Sequence, residues 1–324
     1  MTGTMMAVRA HASGGPEVLR YEEVPRPQPA TGEVLVRVQA VGVNPPDWYA
    51  RSGLANIPQE LRPKISLPFT PGTDISGVVV ATGEGVERWR EGDAVFGLLR
   101  FPTQIGSARG YAEYTTAPAG DLAAKPAALE HLQAAAVPMA GLTAYQYAVD
   151  LAPIEPGSTI LVNGAAGGVG HFLVQLAHDA GARVIAVASA RHETFLRALG
   201  ADEFVDYALT SVAEVFPQAA DQLFDTVGGA HGYRLVGALR DGGVLSPVFF
   251  GEYHQSELDA RGIVRRGGQV HSDGAQLAEL ARRFEQGRLQ VHLDSVYSLA
   301  DAAAAHARAE NGHIQGKIVL DVAD

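Results

Sequence analysis

Thr159-Ile160-Leu161-Val162-Asn163-Gly164-Ala165-Ala166-Gly167-Gly168-Val169-Gly170 decides the fold. A β-branched run enters a glycine-rich turn. Val169, Phe172, Leu173, Leu176, Ala177 and Ala180 then recur at the spacing of a helix lying on a sheet. Glycines let backbone N–H groups approach a pyrophosphate, and a helix N-terminus adds partial positive charge. Ala165 stands at the first position of the G-x-G-x-x-G frame, while Gly167 and Gly170 hold the other two. With a strand before it and a striped helix after it, the stretch predicts a dinucleotide site, with Ala166, Gly167, Gly168 and Val169 around the pyrophosphate. The alternative is a tight turn without a ligand. No Lys-Ser/Thr follows, which excludes a nucleoside-triphosphate P-loop, and Gly312-His313-Ile314-Gln315-Gly316-Lys317 is one residue short of that frame.

Outward from this stretch, Arg183–Val187 predicts the second strand. At its tip the chain reads Ala188-Ser189-Ala190-Arg191-His192. NAD sites place an acid there to hold the ribose 2′-hydroxyl. Here Arg191 would attract a 2′-phosphate and Ser189 could donate to it, so the tip favours NADP(H); the plainer alternative is that Arg191 starts a solvated helix. Leu223–Val227 and Gly243–Phe250 predict further strands, with Gly228 and Gly229 just past the first of them. From about His131 to Arg266, strands alternate with helical patterns, as in parallel βαβ units. Upstream, Met6 to Pro126 reads as all-β, with runs such as Val34–Val38 and Gly77–Val80. Pro25 to Pro29 is an extended connector. Downstream, helices near Gln276–Glu285 and Ala300–Glu310 lead to a last strand, Gly316–Val322. The division expected is 1–130, 131–266 and 267–324.

The 324 residues are 47% hydrophobic and carry a net charge of −11, with no stripe of Lys and Arg. Such a chain repels phosphate backbones, which argues against nucleic acid. No cysteine is present. That removes disulfides, thiolate nucleophiles and cysteine-ligated zinc, and it suits a reducing cytoplasm. No secretory pattern opens the chain, and Leu132 to Val149 is too interrupted for a membrane span. The histidines show no H-E-x-x-H spacing, and His171 and His178 stand two helical turns apart, so no metal site is expected. G-x-S-x-G is also absent.

Further motifs are Gly42-Val43-Asn44-Pro45-Pro46-Asp47, Pro71-Gly72-Thr73-Asp74-Ile75-Ser76-Gly77, Gly92-Asp93-Ala94-Val95, Gly110-Tyr111-Ala112-Glu113-Tyr114, Leu199-Gly200-Ala201-Asp202 and Gly316-Lys317-Ile318-Val319-Leu320. In this order the chain resembles the medium-chain dehydrogenase/reductase superfamily, within its zinc-free quinone oxidoreductase (zeta-crystallin-like) branch. The resemblance implies an α/β fold: a Rossmann doubly wound parallel sheet inserted in a mostly β, GroES-like catalytic domain, with the substrate cleft between. It also implies a homodimer joined through the strand Gly243–Phe250. Zinc-dependent relatives carry a cysteine near Asn44 and a histidine near Thr73, and this chain has neither.

The resemblance places Asn44, Asp47 and Tyr49 in the acceptor site. Tyr49 would donate to the carbonyl, Asn44 would orient the ring or the ribose, and Asp47 would hold its neighbours. The plainer alternative is that Asn44 and Asp47 stabilise a turn at Pro45-Pro46. Thr143 matches a nicotinamide contact, or else bonds its own helix backbone. Tyr207 matches a residue near the adenosine phosphate, and Gly228 lies at the edge where dinucleotides sit. Phe249 and Phe250 flank the nicotinamide or fill core. Asn311 and Lys317 match cofactor contacts, or Lys317 is a solvated charge. Two stretches are unusual: Ala55 with Asn56 to Leu67, and Phe101–Arg109.

Without a Lewis acid, an acceptor that delocalises its own charge is required. The expectation is therefore an NADPH-dependent reductase of quinones or activated double bonds. The alternatives are an enal, enone or enoyl-thioester reductase, and a non-catalytic dinucleotide-binding protein.

Overall fold

The computed structural model describes residues 3–54, 57, 59, 62, 64–100, 104–105 and 109–323. Ala55, Asn56 and most of the stretch Phe101–Arg109 lie outside the described residues. Among the described residues no helix is long and apolar enough to cross a membrane.

Two sheets organise the chain. One has six parallel strands in the order Glu203–Asp206, Arg183–Ala188, Thr159–Asn163, Ala220–Asp225, Leu239–Pro247 and Val264–Arg265. Ile160, Leu161 and Val162 are fully buried, as a central strand covered on both faces requires. The strand order reverses at Thr159–Asn163, which pairs with Arg183–Ala188 on one side and Ala220–Asp225 on the other. A crevice opens beyond the carboxyl ends of strands at such a point.

The other sheet has seven strands, mostly antiparallel. Glu33–Val43 runs through its middle, paired with Asp74–Thr82 and with the returning strand Lys317–Asp321. The parallel sheet is thus inserted within a mostly β unit, as expected. The predicted last strand and both late helices are present, at Lys317–Asp321, Gly274–Glu285 and Ala302–Glu310.

Three boundaries differ from expectation. The strand predicted at Leu223–Val227 is Ala220–Asp225, and the one predicted at Gly243–Phe250 is Leu239–Pro247. Both apolar runs outlast their hydrogen bonding: Val227 is 57% and Phe250 47% exposed. Pro45-Pro46 does not form a turn but opens the helix Pro45–Arg51, where proline's missing N–H costs nothing.

The glycine turn is fixed by close approach. A Cβ on Gly170 would sit 2.2 Å from the Gly164 carbonyl oxygen, so only glycine lets the helix Gly170–Asp179 start against the strand. That helix buries Phe172, Leu173, Leu176 and Ala177, the stripe read from the sequence.

Asp74, on the seven-stranded sheet and fully buried, joins that sheet to the helix that leads toward the six-stranded one. Its Oδ1 accepts from the Met139 N–H at 2.8 Å, capping the helix Pro138–Tyr145, whose first amides have no partner within the helix. Its Oδ2 accepts from Asn44 Nδ2 at 2.9 Å and lies 3.7 Å from Lys317 Nζ. Removing one member of a buried charge pair strands the other. Asp74→Ala is therefore expected to destabilise the protein by about 3–5 kcal/mol, measured as a lower denaturant midpoint at unchanged slope. A loss below about 1 kcal/mol, the scale of a surface pair, would show that Asp74 does not join sheet to helix.

Candidate active site

Between the sheets runs a cavity of about 2510 Å³. Its floor is the glycine turn, where Ala166, Gly167, Gly168 and Val169 all line the cavity at the N-terminus of the helix Gly170–Asp179. Gly164 and Ala165 N–H groups both donate to the Val187 carbonyl at 3.1 Å, which ties the turn to the next strand. A Cβ on Gly168 would lie 2.9 Å from Lys317 Cδ, so the Lys317 stem packs directly on the turn. Gly167 and Gly168 present amides with no side chain to fend off an anion, and the residues present fit a dinucleotide pyrophosphate.

Past the next strand, Ser189, His192 and Tyr207 line the cavity, with Tyr207 half exposed. No acid stands at this tip. Arg191 is exposed and is drawn aside, its NH2 donating to the His313 carbonyl at 2.6 Å. Thr143 lines the cavity, and its Oγ1 donates to the Met139 carbonyl at 2.6 Å. Gly228 lies at the same edge.

Phe249 and Phe250 both reach the cavity. They fill no core, contrary to the usual fate of paired aromatics at a strand end. Phe249 stacks on Tyr49 across the cleft, with ring centroids 5.5 Å apart. Asn311 is exposed at the end of the helix Ala302–Glu310, and the described wall there is formed instead by Gly312, His313 and Ile314.

The helix Pro45–Arg51 carries Tyr49 into the cleft. Asn44 caps this helix through a capping box with Asp47. Asp47 Oδ2 accepts from the Asn44 N–H at 2.8 Å and Oδ1 from the Gly72 N–H at 3.0 Å. Burial raises Asp47 to about 7, against the opposing pull of those two N–H groups. Asp74 is raised by burial to about 6, with Lys317 pulling it down. Lys317 is not a solvated charge: it is 4% exposed and donates to the Val43 carbonyl at 3.1 Å and to Asn44 Oδ1. Both ends of the Asn44 amide are therefore engaged inside the protein. Burial also raises Tyr49 above its ordinary value, so its hydroxyl stays protonated.

Behind Asp47, the Tyr111 hydroxyl lies 3.5 Å from Asp47 Oδ2 and 3.0 Å from His306 Nε2. Among the described residues no group of three His, Cys, Asp or Glu side chains could hold a metal ion.

Two residues were not singled out from the sequence. Asp225, fully buried, accepts from Asn163 Nδ2 at 2.8 Å and from the Val227 and Gly228 N–H groups at 3.0 Å. Tyr253 donates to it at 2.6 Å. Together they shape the turn that carries Gly228 into the cavity. An acid at a strand end just before a glycine pair is the local signal for such a turn. Tyr253 has no sequence signal.

Comparison with known proteins agrees with this architecture. Residues 30–127 match the alcohol dehydrogenase GroES-like domain, and residues 199–320 match a family described as zinc-binding dehydrogenase. A chloroplast envelope quinone oxidoreductase homologue of Arabidopsis thaliana is 30% identical, over 99% of this chain and 100% of its own. A 2-methylene-furan-3-one reductase of Solanum lycopersicum is 33% identical, over 95% of this chain and 76% of its own. A mycobacterial protein solved in complex with NADPH superposes with a TM-score of 0.86 at 30% identity, covering 98% of this chain and 100% of that one.

Tyr253→Phe removes one donor to a buried carboxylate, an interaction of about 1.5–3 kcal/mol. Part of that loss should appear as loosening of the Gly228 turn. Fluorescence titration should show NADPH binding weakened roughly fivefold, with secondary structure retained. Unchanged affinity would show that the turn holds its shape without Tyr253.

Proposed function

The chain belongs to the quinone oxidoreductase branch of the medium-chain dehydrogenase/reductase superfamily, and we propose that Tyr49 is the proton-holding group of its acceptor site. The protein is an NADPH-dependent oxidoreductase acting on a quinone or an activated carbon–carbon double bond. The observation that carries the assignment to Tyr49 is its stacking on Phe249 at the cleft.

Bound NADPH supplies the hydride. The glycine turn would hold its pyrophosphate, and Phe249 and Phe250 would wall the nicotinamide end, with Thr143 beside them. Tyr49 donates a hydrogen bond to the acceptor's carbonyl oxygen, where negative charge develops. Its raised pKa keeps that proton in place through the neutral range. Asn44, Asp47 and Lys317 act from behind: their polar atoms are engaged with one another, with Asp74 and with backbone, and they fix the helix that presents Tyr49.

The finer reading is a reaction without zinc. A quinone or enone spreads the added charge over a phenolate or enolate, so a hydrogen bond does the work that a metal does for a localised alkoxide. The absence of cysteine supports it, and also suits the cytoplasm. We further read the protein as a homodimer, but not joined as expected: the strand Leu239–Pro247, found where Gly243–Phe250 was to be the seam, is paired on both sides, and among the described residues the edge of that sheet is Val264–Arg265, where Val264 is exposed. The second substrate reading, an enal or enone reductase, is favoured by similarity to the tomato furanone reductase.

A steady-state screen of NADPH and NADH against phenanthrenequinone and an alkenal tests this directly. Tyr49→Phe should lower kcat about tenfold to a hundredfold with little change in the KM for NADPH. Wild-type kcat should stay level from neutral pH and fall only above about pH 10, as Tyr49 ionises. Full activity in Tyr49→Phe would remove the tyrosine from the mechanism.

A further inference from the structure

At the tip of the strand Arg183–Ala188 lies a polar chain that hydride transfer does not use. Arg191 Nε donates to His192 Nε2 at 3.0 Å. His192 Nδ1 lies 2.8 Å from Gln315 Oε1, and Gln315 Nε2 lies 3.0 Å from His292 Nε2. The direction of the chain follows from chemistry. Arginine Nε is a donor only, so His192 Nε2 must accept. The ring's proton then sits on Nδ1 and is donated to the Gln315 carbonyl oxygen. The Gln315 amide nitrogen is likewise a donor, so His292 Nε2 accepts. The chain holds only while both imidazoles are neutral.

His192 is 5% exposed and yet forms cavity wall beside Ser189 and Tyr207. This is where a coenzyme's adenosine ribose is sorted by its 2′-substituent. Several groups face His192. Arg191 comes from its own turn and Gln315 from the return segment. His292 and Asp294 lie beyond Gln315, and Asp294 accepts from the Gln315 N–H and from Arg308. Glu193, the next residue, is paired with Arg197. The ion pairs found for histidines among the described residues involve His11 and His254, not His192.

We propose that His192 selects the coenzyme, and that a nucleotide carrying a 2′-phosphate binds with uptake of a proton on His192 Nε2. The proposal rests on the reductase reading above. A proton from solvent makes both ring nitrogens donors. Two N–H groups then face each other at the Arg191 contact, which opens. The freed Nε2–H and the guanidinium both meet a dianionic phosphate, and the charge-assisted bonds stabilise the imidazolium. A 2′-hydroxyl brings no charge, so NADH gains nothing from the proton. A chain built this way makes preference for NADPH a function of pH, which a lysine or arginine at the same place would not.

Calorimetry of NADPH and NADH binding to the intact protein, in buffers of different ionisation enthalpy, tests it. From about pH 7, above the second ionisation of a phosphate monoester, to about pH 9, the NADPH-to-NADH affinity ratio should fall roughly threefold, with net proton uptake for NADPH only. His192→Gln keeps an acceptor for Arg191 but cannot titrate, so its ratio should be level with pH. Arg191→Met, at an exposed position, removes the competing donor and neighbouring cation and should move the fall to higher pH. A wild-type ratio that does not change with pH, or a fall that survives in His192→Gln, overturns the proposal while leaving the reductase reading intact. Failure to bind either nucleotide at any pH overturns both.

Discussion

The carboxylate of Asp74 ties the antiparallel sheet to the helix that leads toward the parallel one. One oxygen caps the helix Pro138–Tyr145 and the other holds the Asn44 amide, with the Lys317 ammonium alongside. Each partner comes from a different part of the chain. None could be moved without leaving a buried polar group unmatched, which costs more than the pair contributes when whole. Lys317 extends the same constraint to the coenzyme side, because its stem packs on Gly168. The turn that would carry a pyrophosphate and the helix that carries Tyr49 are therefore located against a single charge cluster.

That arrangement decides what is left for chemistry. Asn44 and Lys317 are conspicuous polar residues at the cleft, yet their atoms are consumed in holding position. Asp47 is likewise bound to the backbone of Asn44 and Gly72. Tyr49 lines the cavity, its ring stacked on Phe249. A neutral donor such as the Tyr49 hydroxyl suits an anion that a quinone or enone spreads over its own π-system better than it suits a localised alkoxide.

The fold was legible in the sequence because its signals are local. The glycine turn is dictated by a contact between Gly164 and Gly170, six residues apart in number, and the helix stripe follows at once. Strand ends were less legible. Val227 and Phe250 continue apolar runs, and only the loss of a pairing partner ends the strand. The site divided in the same way. Tyr49 and Gly168 were placed at the cleft by motif and order, whereas Phe249 was left between cleft and core. Lys317 could not be told from a solvated lysine, because Asn44 lies 273 residues away in sequence. Asp225 shapes its turn only with Asn163, 62 residues before it, and Tyr253, 28 after it.

Buried titrating groups also balance one another across the molecule. Burial raises Asp47 to about 7 and Asp74 to about 6. Stability from these acids is full below the unfolded carboxylate range and is lost as pH rises through the folded values. Burial lowers His171 to about 4 and His306 to about 3. Their contribution is full above the unfolded histidine value, about 6.5, and is lost as pH falls through the folded values. Between about pH 4 and about pH 6, the folded chain keeps two carboxyl protons that the unfolded chain releases. It refuses two imidazole protons that the unfolded chain takes up. The protons bound in the two states then nearly match, and these four groups give stability little dependence on pH there. Above that window the unfolded imidazoles, at about 6.5, and folded Asp47, at about 7, release their protons over much the same range, so the two changes still oppose each other.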